Sequence, residues 1–245
     1  MPAWIGTSGW TYDHWRGRFY QEDLNQRRWL EFYAERFGTV ELNNSFYHLP
    51  KDATFDGWRE RTPAAFVFAV KASRYITHIK RMRDCRDEIE RFFSAASHLK
   101  DKLAVTLFQL PPSQKRDEKL LDDFLSDVRG VAGKAARIAI EFRDESWLAP
   151  EVFAVLEKRR AAIAFADYRA LSPMAPVTAD FVYIRRHGPD SHYSRPYDKS
   201  AIERDARAVK KWLAEGLDVF AYYNNDYNAY AVENAQALRA SLENK

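Results

Sequence analysis

Thr39-Val-Glu-Leu-Asn-Asn-Ser-Phe-Tyr47 is the stretch from which the fold can be read. Val40 and Leu42 form the apolar half of a short strand, and Glu41 alternates with them. Side chains two apart share one face of a strand. Val40 and Leu42 therefore point one way, and Glu41 and Asn43 the other. Asn43 and Asn44 follow where the strand gives out. An apolar strand whose second face turns acidic and amidic at its carboxyl end is feeding a polar site.

The same event recurs along the chain. Apolar runs at 3–6, 40–43, 65–71, 103–109, 137–142, 162–166, 181–185 and 218–223 read as eight strands, most of them ending in polar residues. Helical spacing lies between nearly all of them: 27–37, 52–61, 87–98, 117–128, a segment opened by Pro150, 200–214 and 228–242. Gly38 is expected to stop the first helix and Gly216 the one at 200–214. Asp52 is expected to cap the second. Strands alternating with helices call for a parallel sheet. Eight units over 1–245, with no linker or composition break, predict one α/β domain, a TIM-type (β/α)8 barrel. An open doubly wound sheet is the alternative. It would favour a glycine-rich phosphate loop after the first strand, and Gly6-Thr-Ser-Gly9 does not have that form.

The composition narrows the function classes. With 46% hydrophobic residues the chain can bury a large core. A net charge of +3 permits an anionic ligand without demanding nucleic acid. One cysteine, Cys85, excludes an internal disulfide and a cysteine metal cluster. The N-terminus has no signal-peptide pattern and no run reaches membrane-span length, so a soluble cytoplasmic protein with no membrane partner is expected.

In a barrel of this kind chemistry sits at the carboxyl ends of the strands. In chain order that rim holds Trp10; Glu41, Asn43 and Asn44; Lys71; Gln109; Glu141 and Arg143; Asp167; Arg185 and His187; and Asn224, Asn225 and Asp226. Strand periodicity turns Glu41, Asn43, Lys71, Glu141, Arg143, Tyr183, Arg185 and His187 inward, with Tyr222, Asn224 and Asp226 a consistent inward set on the last strand. Glu141 with Arg143 or Arg185 also fits a structural ion pair. Burying so many ionisable groups is expensive without a ligand, which favours function for the ring as a whole. Aromatic residues crowd the same loops: Trp10, Tyr12, Trp15, Phe46, Tyr47, Trp147, His192, Tyr193 and Tyr197. Most are expected to pack loops on the rim, with Trp10 and Tyr193 the first candidates for stacking on a ligand.

Several chemistries lack their motif. There is no P-loop, no zincin His-Glu-x-x-His, and Ser8 is not in a nucleophile elbow. No nucleotide-cofactor motif appears. His187, Glu41, Glu141 and Asp226 have the donor chemistry for a divalent metal but not the tight spacing of a metal motif, so the metal is left open.

Six segments resemble one known family in order along the chain. They are Glu-Leu-Asn-Asn-Ser-Phe-Tyr at 41–47, Lys-Ala-Ser-Arg-Tyr-Ile-Thr-His at 71–78, Leu-Phe-Gln-Leu-Pro-Pro at 107–112, Glu-Phe-Arg-Asp-Glu-Ser-Trp at 141–147, Tyr-Ile-Arg-Arg-His-Gly at 183–188 and Tyr-Tyr-Asn-Asn-Asp at 222–226. Together they resemble the YecE-like family, also called domain of unknown function 72. The resemblance implies a TIM-type barrel and leaves the reaction open. Asp167-Tyr-Arg169 departs from the Asp-Tyr-Pro of many relatives.

Three functions compete on these residues. The first is an enzyme with hydrolase-like chemistry on an anionic small molecule or glycan. Glu41 and Glu141 would be its acid and base, with Asp226 and His187 as further catalytic candidates. Lys71, Arg143 and Arg185 would hold a phosphate or carboxylate, and Asn43, Asn224 and Asn225 would orient hydroxyls. The second is a nucleic-acid-binding or -processing protein using the same basic, aromatic mouth. The third is a non-catalytic metabolite-binding protein.

Overall fold

A computed structural model describes residues 2–168, 175–189 and 193–243. The eight strands are β1 (Ala3–Thr7), β2 (Thr39–Leu42), β3 (Val67–Lys71), β4 (Leu103–Gln109), β5 (Ile138–Glu141), β6 (Ala161–Ala166), β7 (Phe181–Arg186) and β8 (Asp218–Tyr223). The helices are α1 (Trp29–Ala34), α2 (Asn44–Tyr47), α3 (Asp52–Glu60), α4 (Arg86–Ala96), α5 (Glu118–Ala132), α6 (Pro150–Arg159), α7 (Lys199–Ala214) and α8 (Tyr230–Glu243). Among the described residues a helix follows every strand but β6. No helix among them is long and apolar enough to cross a membrane.

All neighbouring strands pair in parallel, in the order β1-β8-β7-β6-β5-β4-β3-β2. The sheet curls back on itself until β1 meets β2, where one bridge, Ser8 to Glu41, closes it at the top. Below that bridge the Tyr33 hydroxyl replaces the missing ladder. It takes the Thr7 N–H at 3.0 Å and donates to the Thr39 carbonyl at 3.1 Å. Gly6 makes this approach possible: a Cβ there would stand 2.3 Å from the Thr39 carbonyl oxygen.

Two cores result. Outside the barrel, Val40, Leu42, Ile138, Ile140, Val182 and Ile184 pack under the helices. Inside, small residues on β5 and β6 (Ala139, Ala162, Ala164) face Phe181, Tyr183, Phe220 and Tyr222. Volume is thus shared unevenly around the ring, and large rings fill the space the alanines leave. The split matches the period-2 reading made for β2, β3, β5, β7 and β8.

Some local expectations fail. The first helix ends at Ala34, and Gly38 has no positive φ, so it does not terminate that helix. A Cβ at Gly38 would meet the Trp4 ring at an ordinary 3.7 Å. Asp52 is the first residue of α3, not its cap, which is Lys51 without a side-chain bond. Gly216, at φ 85°, does end α7 as expected. His192 and Arg169 lie outside the described residues.

Candidate functional site

Arg185 stands at the carboxyl end of β7 with its side chain inside the barrel, 1% exposed. Its Nε donates to Glu41 Oε2 at 2.9 Å and its Nη2 to Glu41 Oε1 at 2.7 Å, a two-pronged pair across the barrel. Its Nη1 donates to Glu141 Oε2 at 2.6 Å. One guanidinium therefore ties β2 to β5 through two carboxylates, both fully buried. Ser8, discounted above as a nucleophile, donates to Glu41 Oε1 at 2.5 Å, and the Tyr183 hydroxyl donates to Oε2 at 2.6 Å. Every oxygen of Glu41 is taken.

Glu141 is shared more widely. Arg143 Nε lies 2.5 Å from its Oε1, an ion pair by distance whose N–H does not aim along a hydrogen bond. The Arg143 guanidinium stacks 3.9 Å over the Tyr168 ring. His187 Nε2 lies 3.2 Å from Glu141 Oε1 and 3.1 Å from Arg143 Nη2, and its Nδ1 lies 3.2 Å from the Asn224 amide nitrogen.

The protonation states follow from these contacts. Burial works against the charge of Glu41, and the Arg185 guanidinium overcomes it, holding the carboxyl below the usual range. Burial likewise opposes Glu141, but Arg143 and Arg185 together push it well below. Both glutamates are anions locked to guanidinium. Burial keeps His187 low despite Glu141, so the ring is neutral.

Above this platform opens a cavity of about 280 Å3, lined by Tyr12, Asn43, Phe46, Tyr47, Lys71, Arg185, Tyr193, Asn224 and Asp226. Lys71 projects from the end of β3 with Nζ 3.9 Å over the Phe46 ring. Among the described residues no carboxylate comes within 4.0 Å of it. Burial and the Arg185 charge push its pKa down to about 7. Asp226 is held at the rim by its neighbours: its carbonyl accepts from Trp15 Nε1 at 2.8 Å, and its Oδ2 lies 3.4 Å from His14 Nε2. Burial raises the pKa of its carboxyl.

The ring predicted from sequence thus separates into tiers. Lys71, Asn43, Asn224, Asp226, Arg185 and Tyr193 meet at the cavity. Glu41, Glu141 and His187, expected as acid, base and catalytic imidazole, are wholly buried beneath it. Their polar atoms are already bonded within the platform. Arg143 does not line the cavity but braces Glu141. Five further candidates do not line this cavity. Trp10 packs edge-on against Trp58, 5.6 Å between centroids. Asn44 opens α2 and is exposed. Gln109 bonds the Leu110 carbonyl. Asp167 accepts the His187 N–H and the Tyr197 hydroxyl, which sets the loops after β6 and β7. Asn225 is buried against Arg195 and Asn234. Asn224 and Asn225 point apart because alternation continues one step past β8. The sequence puts Tyr12, Phe46 and Tyr47 among the mouth aromatics but ranks Trp10 and Tyr193 ahead of them; Phe46 and Tyr47 carry a usable signal, since they follow inward-facing Asn43. Among the described residues no three His, Cys, Asp or Glu side chains converge as metal ligands.

Comparison with known proteins agrees with this architecture. The model of a family described as "Protein of unknown function DUF72" matches residues 4–245. The UPF0759 protein YunF of Bacillus subtilis (strain 168) is 31% identical over 275 residues, spanning 98% of this chain and 94% of YunF. The crystal structure of a DUF72 family protein from Thermotoga maritima superposes with a TM-score of 0.85 at 27% identity, over 98% of this chain and 99% of the other. A DUF72 family protein from Enterococcus faecalis V583 gives 0.84 at 20% identity, over 100% and 96%, and at that identity speaks for the fold alone. By its sequence from end to end, this chain belongs to the DUF72 family of proteins of unknown function.

Proposed function

We propose that the mouth cavity is the active site of an enzyme that takes a small anionic molecule and works on it by acid–base chemistry. The observation that carries this reading is the amine of Lys71, which has no carboxylate within 4.0 Å among the described residues, while the carboxylate lining the cavity, Asp226, lies beside His14. Glu41 and Glu141 are balanced by Arg185 and Arg143, and Lys71 remains as a third cation facing the cavity. An anionic group entering the cavity supplies the counter-charge the protein withholds. The amides of Asn43 and Asn224 stand beside it for hydroxyl or carbonyl groups. A volume of about 280 Å3 suits a small metabolite better than a polymer strand.

Acid–base work falls to the two cavity groups whose environments move their pKa values toward neutrality from opposite sides: Lys71 downward and Asp226 upward. Glu41 and Glu141 hold the platform instead. Thermal unfolding at low salt tests the binding half. Glycerol 3-phosphate is expected to raise the midpoint where glycerol does not, and Lys71→Met is expected to abolish the rise. Equal response to both compounds, or an undiminished response in Lys71→Met, would refute the reading.

A further inference from the structure

Lys71 is placed for more than attraction. Its amine rests on an aromatic face, has no carboxylate partner among the described residues, and opens into a cavity whose other cation, Arg185, is fully engaged by glutamates. We propose that Lys71 is a nucleophile that forms a Schiff base with a small carbonyl compound bearing a carboxylate or phosphate. The inference rests on the anion-binding reading above and deepens it by naming the substrate class and the bond formed.

Chemistry and geometry agree on this assignment. An ordinary lysine, with pKa near 10.4, has on the order of one amine in a thousand free at pH 7. Lys71, brought to about 7 by burial and by Arg185, has about half. Desolvation beside another cation is a known way to activate a lysine toward carbonyls. The free amine adds to the carbonyl carbon and gives a carbinolamine. Asp226 lines the same cavity, and burial raises the pKa of its carboxyl. It relays a proton from solvent to the departing hydroxyl, and water leaves. The product is a protonated imine on Nζ and one water, with Asp226 returned to its starting state. No oxidant or reductant is consumed. The imine carries one positive charge, so the substrate's anionic group keeps its partner, and the C–H next to the imine carbon becomes acidic.

Reductive trapping tests the proposal on the intact wild-type chain. Pyruvate and dihydroxyacetone phosphate are incubated separately with the protein at pH 7 in cyanoborohydride, and the lysines are mapped by peptide mass. The expected result is an adduct at Lys71, for at least one of the two, more than tenfold above any other lysine. Lys71→Arg, which keeps the charge, should show no adduct at position 71 and no rise elsewhere. Lactate and glycerol 3-phosphate, which lack the carbonyl, separate the two claims. If they raise the unfolding midpoint while neither carbonyl probe labels Lys71, the Schiff base is overturned and the anion site stands. If they do nothing and no adduct forms, both are overturned.

Discussion

Replacing Arg185 with methionine would leave Glu41 buried against Ser8 and Tyr183 with no guanidinium to balance it. Removing one partner of a buried ion pair costs about 3–5 kcal/mol, and Arg185→Met is expected to lose that much in urea unfolding. The pH dependence has a definite sign. The folded-state pKa values of Glu41 and Glu141 are lowered, so their contribution is complete above the unfolded carboxylate value of about 4.3 and is lost as pH falls through the folded values. Wild type should therefore shed stability below about pH 4 more steeply than Arg185→Met. Lys71 runs the other way. Between about 7 and about 10.4 the unfolded chain holds a proton that the folded chain lacks, so wild-type stability rises with pH across that window. Lys71→Met should be the more stable protein at pH 7 and should lack this slope. Unfolding curves at pH 7 and 9 decide it.

At the scale of elements, β1 and β2 are the pair without a ladder, and Tyr33 stands in for one. Tyr33→Phe removes the hydroxyl and strands a buried N–H and a buried carbonyl. The expected cost is about 1–3 kcal/mol, read by chemical denaturation. Because Ser8 and Glu41 sit directly above this seam, loosening it should also weaken the anion response at the mouth. Elements were the most legible level of the sequence. Alternation of Val40, Glu41 and Leu42, or of Ile138, Ala139 and Ile140, fixes which side chains enter the barrel, because a strand has only two faces. What alternation does not encode is partnership across the ring. Arg185 on β7 reaches Glu41 on β2 and Glu141 on β5, and nothing in 144 or 44 residues of separation marks that. Hence the sequence places Glu41 and Glu141 at the mouth but does not show that both are paired with Arg185. Loop residues are harder still. Trp10 turns toward Trp58 on α3, and Asn225 turns into the packing of α8 through Asn234, both decided by tertiary contacts.

The molecule as a whole is polarised along its barrel axis. One end of the interior is apolar, with Trp4, Phe181 and Phe220 in contact. The other carries the charged platform and, above it, the cavity. Of the described residues, the large apolar side chains that stay exposed, Tyr47, Tyr75, Ile79, Tyr193 and Tyr227, all lie in the segments that follow strands at this same end. Rigid strands hold the platform, and the loops bring aromatic walls to it. Lys71 is the group through which this asymmetry becomes chemistry, so its ionisation is the quantity to measure. Carbon-13 NMR of lysine labelled at Cε, assigned by comparison with Lys71→Arg, follows that ionisation directly. The predicted result is a midpoint near pH 7 that moves upward when inorganic phosphate is added. A midpoint near the ordinary lysine value of about 10.4, unmoved by phosphate, would contradict it.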